Sequence, residues 1–161
     1  MAAIRRISLR INQGVEYLLF GLGFTMAGIV AVQVFSRYML NRSLFWSEEL
    51  ARFLLVWLTF LGASVAYYRK ANPGIDVLYS RMGPALQRAA ALLIHVVSIG
   101  LFAVMIYYGW QFAYFVRLQI SPALNLPKWI VMSIIPASGS ILLVHGIAFF
   151  LEELKRGRRD H

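Results

Sequence analysis

Three charged side chains, Glu48, Glu49 and Arg52, stand directly before a long apolar run that begins at Phe53. On a helix Arg52 follows Glu48 by four residues and Glu49 by three, so it can pair with either. Ser47 just ahead is a candidate N-cap, and carboxylates in a first turn meet exposed N–H groups and the positive end of the helix dipole. An interfacial cap with a salt bridge thus accounts for these charges without giving them a task. Two histidines, His95 and His145, fall inside other apolar runs at similar distances from their ends. Ionisable groups inside a membrane point to function by default, and two facing imidazoles can ligate a haem iron axially. Hydrogen bonding between helices satisfies the same rings, with Ser98 on the His95 face and Ser138 two turns before His145. A proton relay is a third use.

Most other chemistry is absent from the sequence. There is no cysteine, hence no disulfide or thiolate metal site. No His-Glu metal motif, Gly-rich phosphate loop or serine nucleophile elbow appears, so an enzyme is not expected. Nor is a cofactor. The basic residues are split among separate segments and do not form one basic face with aromatic platforms, which argues against nucleic acid.

The elements that must position these residues are set by hydropathy. Of the 161 residues 60% are hydrophobic, and the mean hydropathy is +0.65. That is more apolar than a soluble domain of this size needs. Four uncharged runs stand out: Tyr17 to Ser36, Phe53 to Tyr68, Ala89 to Val116 and Trp129 to Leu151. About 20 residues of helix cross a bilayer. The first and fourth runs fit directly, the second borrows a turn from Trp46 to Arg52, and the third must tilt or project. Continuous runs of this length exclude strands. The fold class expected is all-α: one four-helix transmembrane domain over residues 1–161, with helices at about 15–37, 46–68, 88–116 and 128–152. The first run is too long for the apolar part of a signal peptide and reads as a helix.

Charge placement predicts orientation. The chain carries 16 Lys/Arg against 7 Asp/Glu. Clusters at 5–10, 69–88 and 155–159 fall on one side, and the sparser Arg37, Arg42, Arg52, Arg117 and Lys128 on the other. Loops rich in Lys/Arg stay cytoplasmic, so both termini are expected inside, with the inner clusters near anionic lipid headgroups. Trp46 and Trp129 fall at the outer boundary and Tyr67 and Tyr68 at the inner one, as in aromatic belts. Asn72-Pro73-Gly74 and Gly83-Pro84 punctuate the inner loop, Ser121-Pro122 and Pro127 the outer one.

Small residues suggest where helices meet. The Arg52 stripe continues through Thr59, Ala63 and Ala66 with Gly62 adjacent, and helix 1 carries Gly21, Thr25 and Gly28. Small side chains let membrane helices approach closely. These stripes serve either packing within the four helices or docking of a partner subunit. Gly109 and Ala113 form a similar pair on helix 3. Pro136, followed by Ala137-Ser138-Gly139-Ser140, predicts a kink in helix 4. Such a break is either structural or part of a binding site.

The order Trp46-x-Glu48-Glu49-x-x-Arg52, then Leu61-Gly62-Ala63, then a basic loop with Gly74-Ile75-Asp76, resembles the small membrane subunit of tripartite ATP-independent periplasmic (TRAP) transporters, the DctQ family. One departure is Pro73-Gly74 where many relatives place a His. The resemblance implies a multi-pass protein of the bacterial inner membrane that scaffolds a large membrane subunit. It also implies a periplasmic binding protein as partner, an organic anion (a dicarboxylate, sialic acid or similar carboxylate) as solute, and sodium sites in the large subunit. Trp46, Glu48, Glu49 and Arg52 carry over as motif positions. The large subunit is then expected on Thr59, Gly62, Ala63, Ala66, Gly21, Thr25 and Gly28. Arg37, Arg42, Arg117 and Lys128 face outward, as binding-protein contacts or as solvated loop charges. The alternative from a different class is a b-type cytochrome anchor in which His95 and His145 hold haem.

Overall fold

Residues that alternate apolar and polar at helical spacing extend the first helix well beyond its uncharged stretch. The computed structural model describes residues 2–69 and 83–159. In it α1 spans Ala2–Met39, so it starts far ahead of the predicted position 15. Ser8, Asn12 and Val15 are buried at i, i+4, i+7 spacing, whereas Arg5, Arg6 and Arg10 are exposed. Charges that end an apolar run need not end a helix when they share one face. The turn after α1 closes on Ser36. Its carbonyl accepts the N–H groups of Leu40 and Arg42, its hydroxyl donates to Arg42 O at 3.0 Å, and Asn41 takes a left-handed φ of 51°, a conformation that Asn tolerates.

Helix α2 spans Phe45–Tyr68, and Leu44 at its N-cap gives no side-chain cap. The expected Ser47 cap is corrected. The helix starts two positions earlier, so Ser47 lies inside the first turn, buried, and its hydroxyl donates back to Leu44 O at 2.7 Å. Helix α3 covers Pro84–Phe115 behind an extended Gly83, with proline in a first turn where its missing N–H costs nothing. The predicted Asn72-Pro73-Gly74 turn and the Gly74-Ile75-Asp76 segment lie outside the described residues.

The fourth span is broken. Helix α4 (Lys128–Met132) and helix α5 (Ile134–Arg159) meet at Ser133. Pro136 has no N–H to offer the carbonyl of Met132, so the ladder fails one turn before the proline. Trp57 of α2 donates its indole N–H to Val131 O at 3.2 Å, satisfying a carbonyl of the last α4 turn that lacks an intrahelical partner.

Four helical stretches are long and apolar enough to cross a membrane: Ile4–Met39, Phe45–Tyr68, Ala89–Phe115 and Lys128–Lys155. The fold is therefore an all-α, four-span membrane protein. Helix α5 is its axis, touching α1, α2 and α3, and 39% of the fourth span's most apolar window is buried against 0% for the first. The seam with α3 is close because it is lined by glycine. A Cβ on Gly109 would lie 2.8 Å from Ile135 Cγ2, and one on Gly139 would lie 3.1 Å from Ile106 Cγ1. On the other side of α5, Val15, Leu61 and Ile134 bring α1, α2 and α5 to one apolar cluster. Both chain ends lie at one end of the bundle, where Arg5 approaches Glu152 at 3.8 Å.

Candidate functional site

The two carboxylates at the mouth of α2 have different tasks. Glu49 Oε2 accepts the backbone N–H of Ala123 at 2.8 Å and of Leu124 at 3.0 Å. Those amides belong to a loop that is closed on itself. Ser121 N–H donates to Leu126 O, Asn125 N–H donates to Ser121 O, and Leu126 N–H donates to the Ser121 hydroxyl at 3.2 Å. Asn125 holds a left-handed φ of 52°. The loop turns two N–H groups toward one carboxylate, and Glu49 locks the α3–α4 connection onto the start of α2. Glu48 instead accepts from Gln33 Nε2 of α1 at 3.3 Å. The expected pairing of Arg52 is not formed: it is exposed and makes no ion pair among the described residues. Its carboxylate candidates are directed to Gln33 and to the loop. Trp46 is about half exposed beside them.

Continuing from Arg52, the small stripe points away from the core. Thr59, Ala63 and Ala66 are exposed, as are Gly21, Thr25 and Gly28 of α1; Gly62 is half-buried. A Cβ on Gly21, Gly28 or Gly62 would meet nothing within 4 Å. Packing among the four helices therefore does not use these positions. Gly109 and Ala113, by contrast, are buried in the α3 seam. Both exposed threonines donate to a carbonyl one turn back, Thr25 to Gly21 O and Thr59 to Leu55 O, each at 2.8 Å. Their hydroxyls are satisfied without a partner, as an apolar environment requires.

The two histidines have different neighbours. His145 is fully buried; its Nδ1 hydrogen-bonds the Ser8 hydroxyl at 2.7 Å, and its ring centroid lies 5.0 Å from that of Tyr68. His95 is set against Phe149 at 6.4 Å. Phe149 also contacts Tyr67 and Tyr68, so the two tyrosines expected in a belt turn partly inward. Ser8 as the partner of His145 was missed by sequence reasoning, because only the extended α1 brings it there. The serines after the kink are likewise occupied locally. Ser138 donates to Ile135 O and Ser140 to Pro136 O. Among the described residues no group of three or more His, Asp or Glu is placed to hold a metal ion.

At the end holding both termini, Glu16 was also missed. Its Oε1 accepts from Asn12 at 2.9 Å and from Arg69 Nη2 at 2.8 Å, tying α1 to the end of α2. The spacing of Asn12 and Glu16 by four is a helix-face signal; their link to Arg69 has none in sequence. At the other end Arg37, Arg42 and Arg117 are exposed. Arg117 covers the Tyr114 ring at 3.7 Å, and Lys128 donates to Gln119 at 3.3 Å.

A sequence model described as "Tripartite ATP-independent periplasmic transporters, DctQ component" matches residues 26–156. An isethionate TRAP transporter permease protein, DctMQ, from Oleidesulfovibrio alaskensis is 28% identical over 104 residues, which are 62% of this chain and 16% of that protein. A putative TRAP transporter small permease protein from Haemophilus influenzae is 31% identical over 81 residues, 50% of each chain. The ectoine TRAP transporter small permease protein TeaB from Halomonas elongata is 24% identical over 143 residues, 87% of this chain and 72% of TeaB. The chain thus spans half or less of the first two relatives.

Proposed function

The chain belongs to the DctQ family of tripartite ATP-independent periplasmic transporters, and we propose that it is the small permease subunit of such a transporter, a scaffold for a large membrane subunit. The observation that supports this best is the pair of outward faces, Thr59, Gly62, Ala63 and Ala66 on α2 and Gly21, Thr25 and Gly28 on α1. Their small side chains leave backbone accessible, and in lipid it is van der Waals packing of such surfaces that associates helices. The uncharged interiors of the four spans support a scaffold over a solute path, since a path for an anion or a coupling ion needs polar groups at depth.

On this reading the transport chemistry, including any sodium sites, lies in the large subunit, and the solute is an organic acid. Relatives are named for isethionate, ectoine and sialic acid, a spread that fits a small subunit that does not select the solute. Both termini lie in the cytoplasm of a bacterial inner membrane, and Arg37, Arg42, Arg117 and Lys128 face a periplasmic binding protein. Co-purification tests the central claim. A tagged chain should bring down a protein with many more spans, and Ala63→Leu combined with Gly21→Leu should release it. A chain that isolates alone and supports uptake without a partner overturns the proposal.

A further inference from the structure

We propose that the cleft between the first turns of α1 and the last turns of α5 binds the headgroup of an anionic phospholipid. The cleft has a volume of about 610 Å³, and Arg5, Arg6, Arg10 and Lys155 line it with Glu152 as the one carboxylate. That carboxylate is already engaged, since Arg5 Nε lies 3.8 Å from Glu152 Oε1. Among the described residues no carboxylate pairs with Arg6, Arg10 or Lys155. The walls therefore carry a surplus of positive charge at the edge of two membrane spans, where guanidinium groups suit phosphate oxygens.

The rest of the lining decides between a lipid and a free phosphate. Leu9, Ala148 and Leu151 make its floor apolar, and Leu9 is 43% exposed. The floor continues into the apolar stretches of both helices. A free phosphate has no use for such a floor, while an acyl chain emerging from a headgroup does. Cationic pockets between membrane helices recognise acidic headgroups in this way. The occupant expected is a phosphodiester lipid whose phosphate meets Arg6, Arg10 and Lys155 and whose chains run along α1 and α5.

The full-length chain, with any subunit that remains bound, is extracted into mixed micelles of equal dioleoyl phosphatidylglycerol and dioleoyl phosphatidylcholine, and retained lipid is counted by native mass spectrometry. Phosphatidylglycerol should be retained in clear excess. Arg10→Gln with Lys155→Gln should lower that retention by about 25-fold, at roughly fivefold per removed charge. Arg37→Gln with Arg42→Gln, equal in charge but at the other end, should leave it unchanged. Glu152→Gln should raise it severalfold, and decides the matter if the double variant does not fold. Equal retention of the two lipids, an equal loss in the Arg37/Arg42 variant, or no rise in Glu152→Gln overturns the proposal. Displacement of the lipid by millimolar inorganic phosphate also overturns it, by showing a phosphate site. None of these readouts uses transport, so the lipid site and the subunit reading fail separately.

Discussion

Glu49 Oε2 lies 2.8 Å from the backbone nitrogen of Ala123, 74 residues further along the chain. One carboxylate at the start of the second span thereby fixes the connection that leads into the fourth. Its neighbour Glu48, one position earlier, faces α1 through Gln33 instead. Successive residues on a helix point about 100° apart, so an adjacent acidic pair bridges two neighbours that one carboxylate cannot reach. The paired charges at the mouth of a membrane helix are, in this fold, ties between elements.

The two ties differ in strength, and substitution should show it. Glu49→Ala removes a charged acceptor from two N–H groups, one of them half-buried, and is expected to destabilise the chain by about 1–2 kcal/mol. Glu49→Gln keeps one acceptor oxygen and should cost less. Glu48→Ala loses a single contact of 3.3 Å and should stay below about 0.5 kcal/mol. Unfolding midpoints in detergent, with protease cleavage in the 121–126 loop as a local probe, measure the order. Equal loss in both alanine variants would show that the clamp on the loop is no stronger than the single Gln33 contact.

Glycines divide into those that build the fold and those that leave it open. A Cβ at Gly109 meets Ile135 Cγ2 at 2.8 Å and Pro136 Cδ at 3.0 Å, so Gly109→Ala must push α3 off α5 and should cost on the order of 1–3 kcal/mol. Gly21→Ala and Gly62→Ala meet nothing and should be neutral, or stabilising by up to about 1 kcal/mol through helix propensity. Leucine at the same two positions should leave the isolated chain folded while reducing recovery of the large subunit. A stability loss at Gly21 matching that at Gly109 would mean that its face packs inside the bundle.

The Ser8–His145 hydrogen bond joins α1 to the central helix in a site closed to solvent. Ser8→Ala leaves an imidazole nitrogen buried without its partner, and such bonds between membrane helices contribute about 0.6 kcal/mol on average and up to about 1.7 kcal/mol. Combining Ser8→Ala with His145→Phe should therefore cost less than the sum of the single changes, measured as a double-mutant cycle. Full additivity would mean that the contact contributes no coupling. Ser8 occupies Nδ1 of His145 while Nε2 has no hydrogen-bond partner among the described residues, so the haem alternative is tested directly: the scaffold reading expects no Soret band from purified protein. A band lost in His145→Phe would revive the haem reading.

Four spans and the proline break were legible because hydropathy and the missing proline N–H act locally. The early start of α1 was not, since Arg5, Arg6 and Arg10 interrupt the apolar run that marks a span, while the helix only needs Ser8, Asn12 and Val15 on one face. The same holds for side chains that bond across helices. Glu48, Glu49 and Arg52 stand at spacings that favour pairing along one helix, yet Gln33 and the Ala123–Leu124 amides outcompete that geometry. Nothing in the sequence places Gln33 or residues 123–124 beside α2. The outward stripe on α2 was visible as a pattern of small residues; only the packing of Leu61 and Trp57 toward the core turns it away from the other helices.

Orientation is checked best by labelling, because the native chain has no cysteine. Arg5 and Glu152 approach within 3.8 Å, so cysteines near positions 5 and 155 must react from the same side whatever that side is. Clusters of Lys/Arg at those ends favour the cytoplasm. A cysteine at Ala123, on the loop held by Glu49, should then react with a membrane-impermeant maleimide in cells whose outer membrane is permeabilised. Cysteines at 5 and 155 should react only after lysis. Labelling of 5 and 155 on opposite sides would contradict the four-span fold itself, whereas labelling of both from the periplasm would keep the fold and reverse the assignment of inside and outside. The two failures are distinct because the first concerns the number of crossings and the second only the charge rule.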